Sequence, residues 1–258
     1  MWFASIAVLT ASIAAAAPAE ISLSAADGTV LHAVAEVPSG AKSGVVMVHM
    51  ANRSQSDWQF VSEKLVRGGL ATVAVDLRGH GKSARAGEAL VDADYLAMEQ
   101  DVQAAIDWLR AQGASAVSCA GASLGANLCL RVAARDPQVV NLVLLSPGLK
   151  KNGLTTAAAM QQYGERPVLF VASMEERYDG ISAEKLEARA AGQHHLQLLT
   201  DAGHGTKMLN RDSTVEGLVL SWLMGTYELA PGETVRPQPV GEREVKDIKT
   251  DGKMLELQ

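Results

Sequence analysis

The chain has 258 residues, 48% of them hydrophobic, and a formal net charge of −6. That length can bury the core of one large α/β domain, and no repeat period is visible. The acidic balance, the lack of a basic cluster and an aromatic content of only 4% exclude nucleic acid as a partner.

Residues 1–19 carry no charged side chain and are dominated by Ala, Ile, Val and Leu. The apolar run is short for a membrane span and ends in Ala17-Pro18-Ala19, an A-x-A pattern before Glu20. It reads as a cleaved secretory signal peptide, with an N-terminal membrane anchor as the alternative. The mature chain is then expected to be secreted or periplasmic, with no stable membrane insertion.

Residues 20–38 give two short strands joined at Asp27-Gly28, a hairpin signal. Residues 44–50 form a continuous apolar strand of the buried, parallel kind. Ser54 with Asp57 makes a capping-box pattern for a helix whose face is Trp58, Val61 and Leu65, stopped at Gly68-Gly69. Residues 70–77 are the next buried strand. A long helix follows from Tyr95, with Met98, Val102, Ile106 and Leu109 on one face and Gly113 as its stop.

Residues 116–120 read as a strand, and 124–134 as a helix ended by Asp136-Pro137. Between them lies Gly121-Ala122-Ser123-Leu124-Gly125, a G-x-S-x-G pattern that forms a sharp elbow from strand to helix. The two glycines remove the Cβ atoms that would clash where strand and helix meet, so Ser123 can occupy a strained turn with its Oγ presented. The Leu124 N–H then lies at a helix N-terminus, pointing where a negative oxygen would develop.

Strands follow at 139–147 and 167–173, then a helix at 183–191 and a last strand from His194. Ser213 with Glu216 is expected to cap a final helix whose core face is Val215, Leu218, Val219, Trp222 and Leu223. Alternating strands and helices predict a mostly parallel sheet with helices on both faces, led by an antiparallel hairpin. The folded domain is bounded at 20–229. Residues 230–258 form a polar tail, either mobile or a small hairpin around Asp251-Gly252.

Cys119 and Cys129 fall on the strand and the helix that flank the elbow. A disulfide needs Cα atoms about 5.5 Å apart, whereas a helix axis packs about 10 Å from a sheet. Two buried free thiols are therefore expected, and no metal site.

The order of His49 to Ser54, Asp76 to Ser83 ("DLRGHGKS"), the elbow and "AGHGTKML" from Ala202 resembles the α/β-hydrolase superfamily, most closely its small bacterial serine esterases and dienelactone-hydrolase-like members. The resemblance spans nearly all of the chain between leader and tail. It implies a mostly parallel eight-stranded sheet, no large cap domain, and no cofactor. A neutral serine hydroxyl needs a base, and His204, directly after the last strand, is the candidate. His194 and His195 begin that strand and so lie at its far edge, while His49 and His80 come too early in the family's chain order. Three acids, Glu175, Glu176 and Asp179, follow the strand ending at Ser173. The family spacing selects Glu176, with Asp179 as the alternative. The resemblance implies an oxyanion hole from the N–H groups of Leu124 and Ala51. Met50 replaces the family's usual glycine; it is a rival donor, and its side chain is expected to narrow the acyl pocket or shift the turn. Asp76, Arg78 and Gly79 read as braces of their loop rather than as catalytic groups.

The expected activity is hydrolysis of small carboxylic esters through an acyl-enzyme. A thioesterase or serine peptidase on the same triad is the alternative, and a catalytically silent binding protein is a third reading. Residues 148–166 allow only a loop and a short helix over 155–162, so the site is expected to be open to water and to favour short acyl chains.

Overall fold

A sheet of eight strands is the spine of the computed structural model, which describes residues 17–83 and 89–227. The leader (apart from residues 17–19) and the tail at 230–258 lie outside the described residues. In chain order the strands are β1 (Ala19–Ser24), β2 (Val30–Glu36), β3 (Ser43–Val48), β4 (Ala71–Val75), β5 (Ala116–Ala122), β6 (Val139–Leu145), a small pair β7 (Lys150–Lys151) and β8 (Leu154–Thr155), β9 (Val168–Ser173) and β10 (His194–Leu199). The large sheet runs β1-β2-β4-β3-β5-β6-β9-β10. The pairs β1·β2 and β2·β4 are antiparallel and the others parallel.

The helices are α1 (Gln59–Arg67), α2 (Asp92–Ala111), α3 (Leu124–Arg135), α4 (Ala157–Tyr163), α5 (Arg177–Glu187), α6 (Lys207–Arg211) and α7 (Ser213–Leu223). Strand pleating divides the core into two layers. Val46 and Val48 of β3 face Met98, Val102 and Leu128 of α2 and α3, whereas Val45 and Met47 join Leu65, Val219 and Trp222 of α1 and α7. Central strands covered on both faces must be apolar on both, which is why β3, β4, β5 and β9 read as continuous hydrophobic runs. Every parallel strand therefore points its carboxyl end to one edge, where the loops carrying the site gather.

Four local expectations are corrected. Cys119 and Cys129 form a disulfide, with Cα atoms 5.8 Å apart. The axis-to-sheet distance misleads here, because α3 meets β5 backbone to backbone at the elbow: a Cβ on Gly121 would lie 2.3 Å from the Gly125 carbonyl oxygen. The helix expected at 183–191 begins at Arg177 and ends at Glu187. The final helix is capped by Asp212, whose side chain accepts from Thr214 N at 2.9 Å, not by Ser213. Ser54 does precede a helical turn but makes no side-chain cap; it pairs with Ser56, and Asp57 is used elsewhere.

Candidate active site

The elbow is built as its glycines require. Ser123 sits between β5 and α3 with φ +50° and ψ −108°, a left-handed conformation that costs about 1–3 kcal/mol unless its surroundings enforce it. They do. Ser123 N donates to the Leu145 carbonyl at 2.8 Å and its own carbonyl accepts from Asn127 N at 3.1 Å. On the other side, a Cβ on Gly125 would lie 2.3 Å from the Val48 carbonyl oxygen, so only glycine lets α3 start here. The N–H of Leu124, first residue of α3, has no acceptor within the helix.

His204 lies in the loop after β10 at the same sheet edge. Its Nδ1 is 2.6 Å from Asp179 Oδ2, with the ring N–H off the ideal line to that oxygen. Catalytic hydrogen bonds of this kind often straighten only when substrate is bound. Asp179 is buried, in the first turn of α5, whereas Glu176 is the exposed residue that precedes that helix. The residue brought to His204 is therefore Asp179, correcting the choice of Glu176. The strand ends at Ser173 as expected; the early start of α5 is what turns Asp179 inward.

The histidine loop is tied at successive residues. Ala202 N donates to Ser173 Oγ at 3.1 Å, Gly203 N to Glu175 Oε2 at 2.8 Å, and Gly205 N to Ser146 Oγ at 2.9 Å. Thr206 Oγ1 donates to Asp57 Oδ2 at 2.8 Å, and Arg53 holds Asp57 from the exposed side. Glu175, Ser146, Asp57 and Thr206 thus position His204 without touching it, roles that no motif announced.

The turn after β3 carries Met50 and Ala51, the two candidate oxyanion donors. His49 is fully buried there. Leu77 N donates to its Nε2 at 3.0 Å, so Nδ1 carries the proton and donates to the Met50 carbonyl at 2.8 Å. Burial pushes the His49 pKa down to about 4, which keeps the ring neutral and the turn fixed. Met50 packs inward from this turn. Its side chain is buried, with Sδ 2.8 Å from where a Cβ on Gly205 would stand, beneath the histidine loop.

The braces behave as read from the sequence. Asp76 is held by His32 Nδ1 at 2.8 Å, Gln55 N at 2.7 Å and Lys82 N at 3.0 Å. Arg78 grips buried Asp101 and also Asp27. His80 Nδ1 lies 3.0 Å from the Arg78 carbonyl oxygen. His194 pairs with Glu187 at 3.0 Å, and the His195 ring lies 5.3 Å from that of Tyr227, both remote from Ser123. A hollow of about 350 Å³ lined by Pro38, Lys42, Gly68 and Leu70 opens at the amino ends of β3 and β4, the opposite edge of the sheet.

One contact at Ser123 was missed. Ser123 is only 2% exposed, and Lys151 Nζ donates to its Oγ at 3.1 Å, a contact that no motif announced. Lys151 comes from the β7–β8 hairpin, whose register pairs Lys150 with Thr155 and Lys151 with Leu154. The connecting residues, Asn152 (φ +50°) and Gly153 (φ +75°), take the positive-φ turn that a two-residue hairpin needs. Asn-Gly was the signal that could have found it. The short helix α4 packs against α3 rather than over the site.

Among the described residues no three His, Cys, Asp or Glu side chains gather as a metal site, and no helix is long and apolar enough to cross a membrane.

A family model, Hydrolase_4, described as "Serine aminopeptidase, S33", matches residues 39–216. No curated protein matches in sequence. Among solved structures, the fold is similar to a dienelactone hydrolase of Anabaena variabilis (21% identity, TM-score 0.69, covering 83% of this chain and 99% of that one). It is also similar to an esterase of Pyrococcus furiosus (17%, TM-score 0.67, 81% and 92%) and to acetyl xylan esterase 1 of a Thermoanaerobacterium species (16%, TM-score 0.67, 85% and 86%).

Proposed function

The chain belongs to the Hydrolase_4 family of α/β hydrolases, and from that premise we propose that it cleaves carboxylic esters through an acyl-enzyme on Ser123. The observation that carries the reading is the buried Asp179 against His204 Nδ1 at 2.6 Å, at the same sheet edge as a serine in the elbow conformation. Ser123 Oγ attacks the acyl carbon while His204 takes its proton. The Leu124 N–H and one from the Met50–Ala51 turn receive the oxyanion. His204 then protonates the departing alcohol, and water, deprotonated by the same ring, releases the acid. Asp179 stays ionised, fixing the ring tautomer and stabilising the imidazolium.

The family's description names an aminopeptidase, which keeps amide cleavage as the second reading. A panel of p-nitrophenyl esters, a thioester and aminoacyl p-nitroanilides, run beside fluorophosphonate labelling, separates the two. Ester turnover with Ser123-dependent labelling is expected. Turnover of the anilides alone would replace the esterase reading with the peptidase one.

Export to an oxidising compartment is part of the proposal. The uncharged apolar leader ending in Ala17-Pro18-Ala19 supports it, and so does the Cys119–Cys129 disulfide, a bond rare in reducing cytosol.

A further inference from the structure

We propose that Lys151 makes this site selective for esters whose acyl chain carries a carboxylate. The inference rests on the ester-hydrolase reading above and names the substrate class of that site. Lys151 Nζ stands 3.1 Å from the Ser123 oxygen, the atom that any acyl group must reach to be attacked. Among the described residues it has no carboxylate within ion-pair distance, unlike Arg53, Lys64, Arg78, Lys82, Arg110 and Arg131. A partly buried ammonium whose one hydrogen-bond partner among the described residues is a neutral hydroxyl is short of a counter-charge, and a bound anionic substrate supplies it.

The hairpin that carries the lysine is anchored to the fold. Leu154 of the hairpin is fully buried. Tyr178 Oη donates to the Lys150 carbonyl at 2.7 Å and accepts from Lys150 N at 2.8 Å. Arg131 Nη1 donates to the Thr155 carbonyl at 2.8 Å, and Thr156 Oγ1 to the Gly148 carbonyl at 2.7 Å. Ties on both strands fix the hairpin from which Lys151 projects, so its charge stays within reach of Ser123, which favours discrimination between charged and neutral substrates. The positive end of α3 at Ser123 adds to the same potential.

The test compares mono-p-nitrophenyl adipate with p-nitrophenyl hexanoate, which share an acyl length and differ by one carboxylate. The wild type is expected to favour the adipate in kcat/KM by about 10- to 100-fold, the range for one partly desolvated charge pair. That ratio should collapse in Lys151→Met, invert in Lys151→Glu, survive in Lys151→Arg, and shrink in the wild type as salt is raised. Thermal melts of the variants check that they fold. Equal kcat/KM for the two esters in the wild type overturns the inference and leaves the esterase reading intact. So does a change in Lys151→Met of the same factor on both esters, which would make the residue a general activator or a plug. If the wild type cleaves neither ester but is labelled, equal protection from labelling by monomethyl adipate and methyl hexanoate overturns it too. No turnover and no labelling removes the esterase reading and this inference together.

Discussion

Replacing Asp179 with asparagine keeps the side chain's size and removes its charge beside His204. At 2.6 Å, and with an effective dielectric of about 20, a carboxylate and a full imidazolium attract by roughly 6 kcal/mol. The His204 side chain is 22% exposed, so water takes part of that, and the ring is only partly charged in the transition state. About 3–5 kcal/mol should be lost, which corresponds to kcat lower by about 10²–10⁴. The asparagine NH₂ can also force the wrong ring tautomer, adding to the loss. The assay is steady-state hydrolysis of a p-nitrophenyl ester, with Glu176→Gln as its control. Glu176 is exposed at the start of α5, and its variant should stay within about threefold of wild type, as surface charges generally do. A larger loss at Glu176 than at Asp179 would refute the reasoning and return the acid to the position that family spacing had selected.

Ser123→Ala should abolish turnover and fluorophosphonate labelling with little change in melting temperature; residual wild-type activity would remove Ser123 as nucleophile. His49, with its pKa pushed from 6.5 to about 4, binds a proton in the unfolded chain before it does in the folded one. It therefore lowers stability as pH falls through that window, by about 3 kcal/mol in all. His49→Gln, destabilised at pH 7 by its lost hydrogen bonds, should close that gap to wild type by pH 4 in urea titrations; a constant gap would show that the ring titrates normally. Converting both cysteines to alanine opens a loop with a sequence separation of 10 and should cost about 3 kcal/mol, or about 6–12 °C in Tm by calorimetry. An unchanged Tm would mean the bond is absent in solution.

The large sheet was legible because its central strands are uninterrupted apolar runs and its turns carry glycine. The elbow was legible for the same reason, since G-x-S-x-G encodes a steric necessity that Gly121 and Gly125 meet directly. The acid was not. Residues 174–182, "MEERYDGIS", have no helical periodicity and include Gly180, so α5 could not be started at Arg177 from pattern alone. Tertiary contact decides it: a Cβ on Gly180 would lie 2.3 Å from Met174 Sδ, so the glycine that weakens the helix signal also lets the helix seat against the strand end. The anchors of His204 were hidden for another reason. Thr206–Asp57 and Gly205–Ser146 join residues 149 and 59 positions apart, and single side-chain hydrogen bonds at that range leave no trace in a local pattern. Lys151 was legible in principle, through Asn152-Gly153, but only a folded hairpin shows what its lysine reaches.

Both sulfurs of the Cys119–Cys129 bond are fully covered in the finished structure, beneath the helix that begins after Ser123. An oxidant can therefore reach them only while α3 is still undocked, so the thiols must be joined before the elbow closes or as it closes. The order of events has a practical side. Chain matured in a reducing cytoplasm would fold over two thiols and stay so when later moved to air, whereas oxidised chain would keep its bond against added thiol reagents until it opened. Two preparations of one sequence could thus differ lastingly in how firmly the serine's strand and helix are held together, with no difference in their surroundings at the time of measurement.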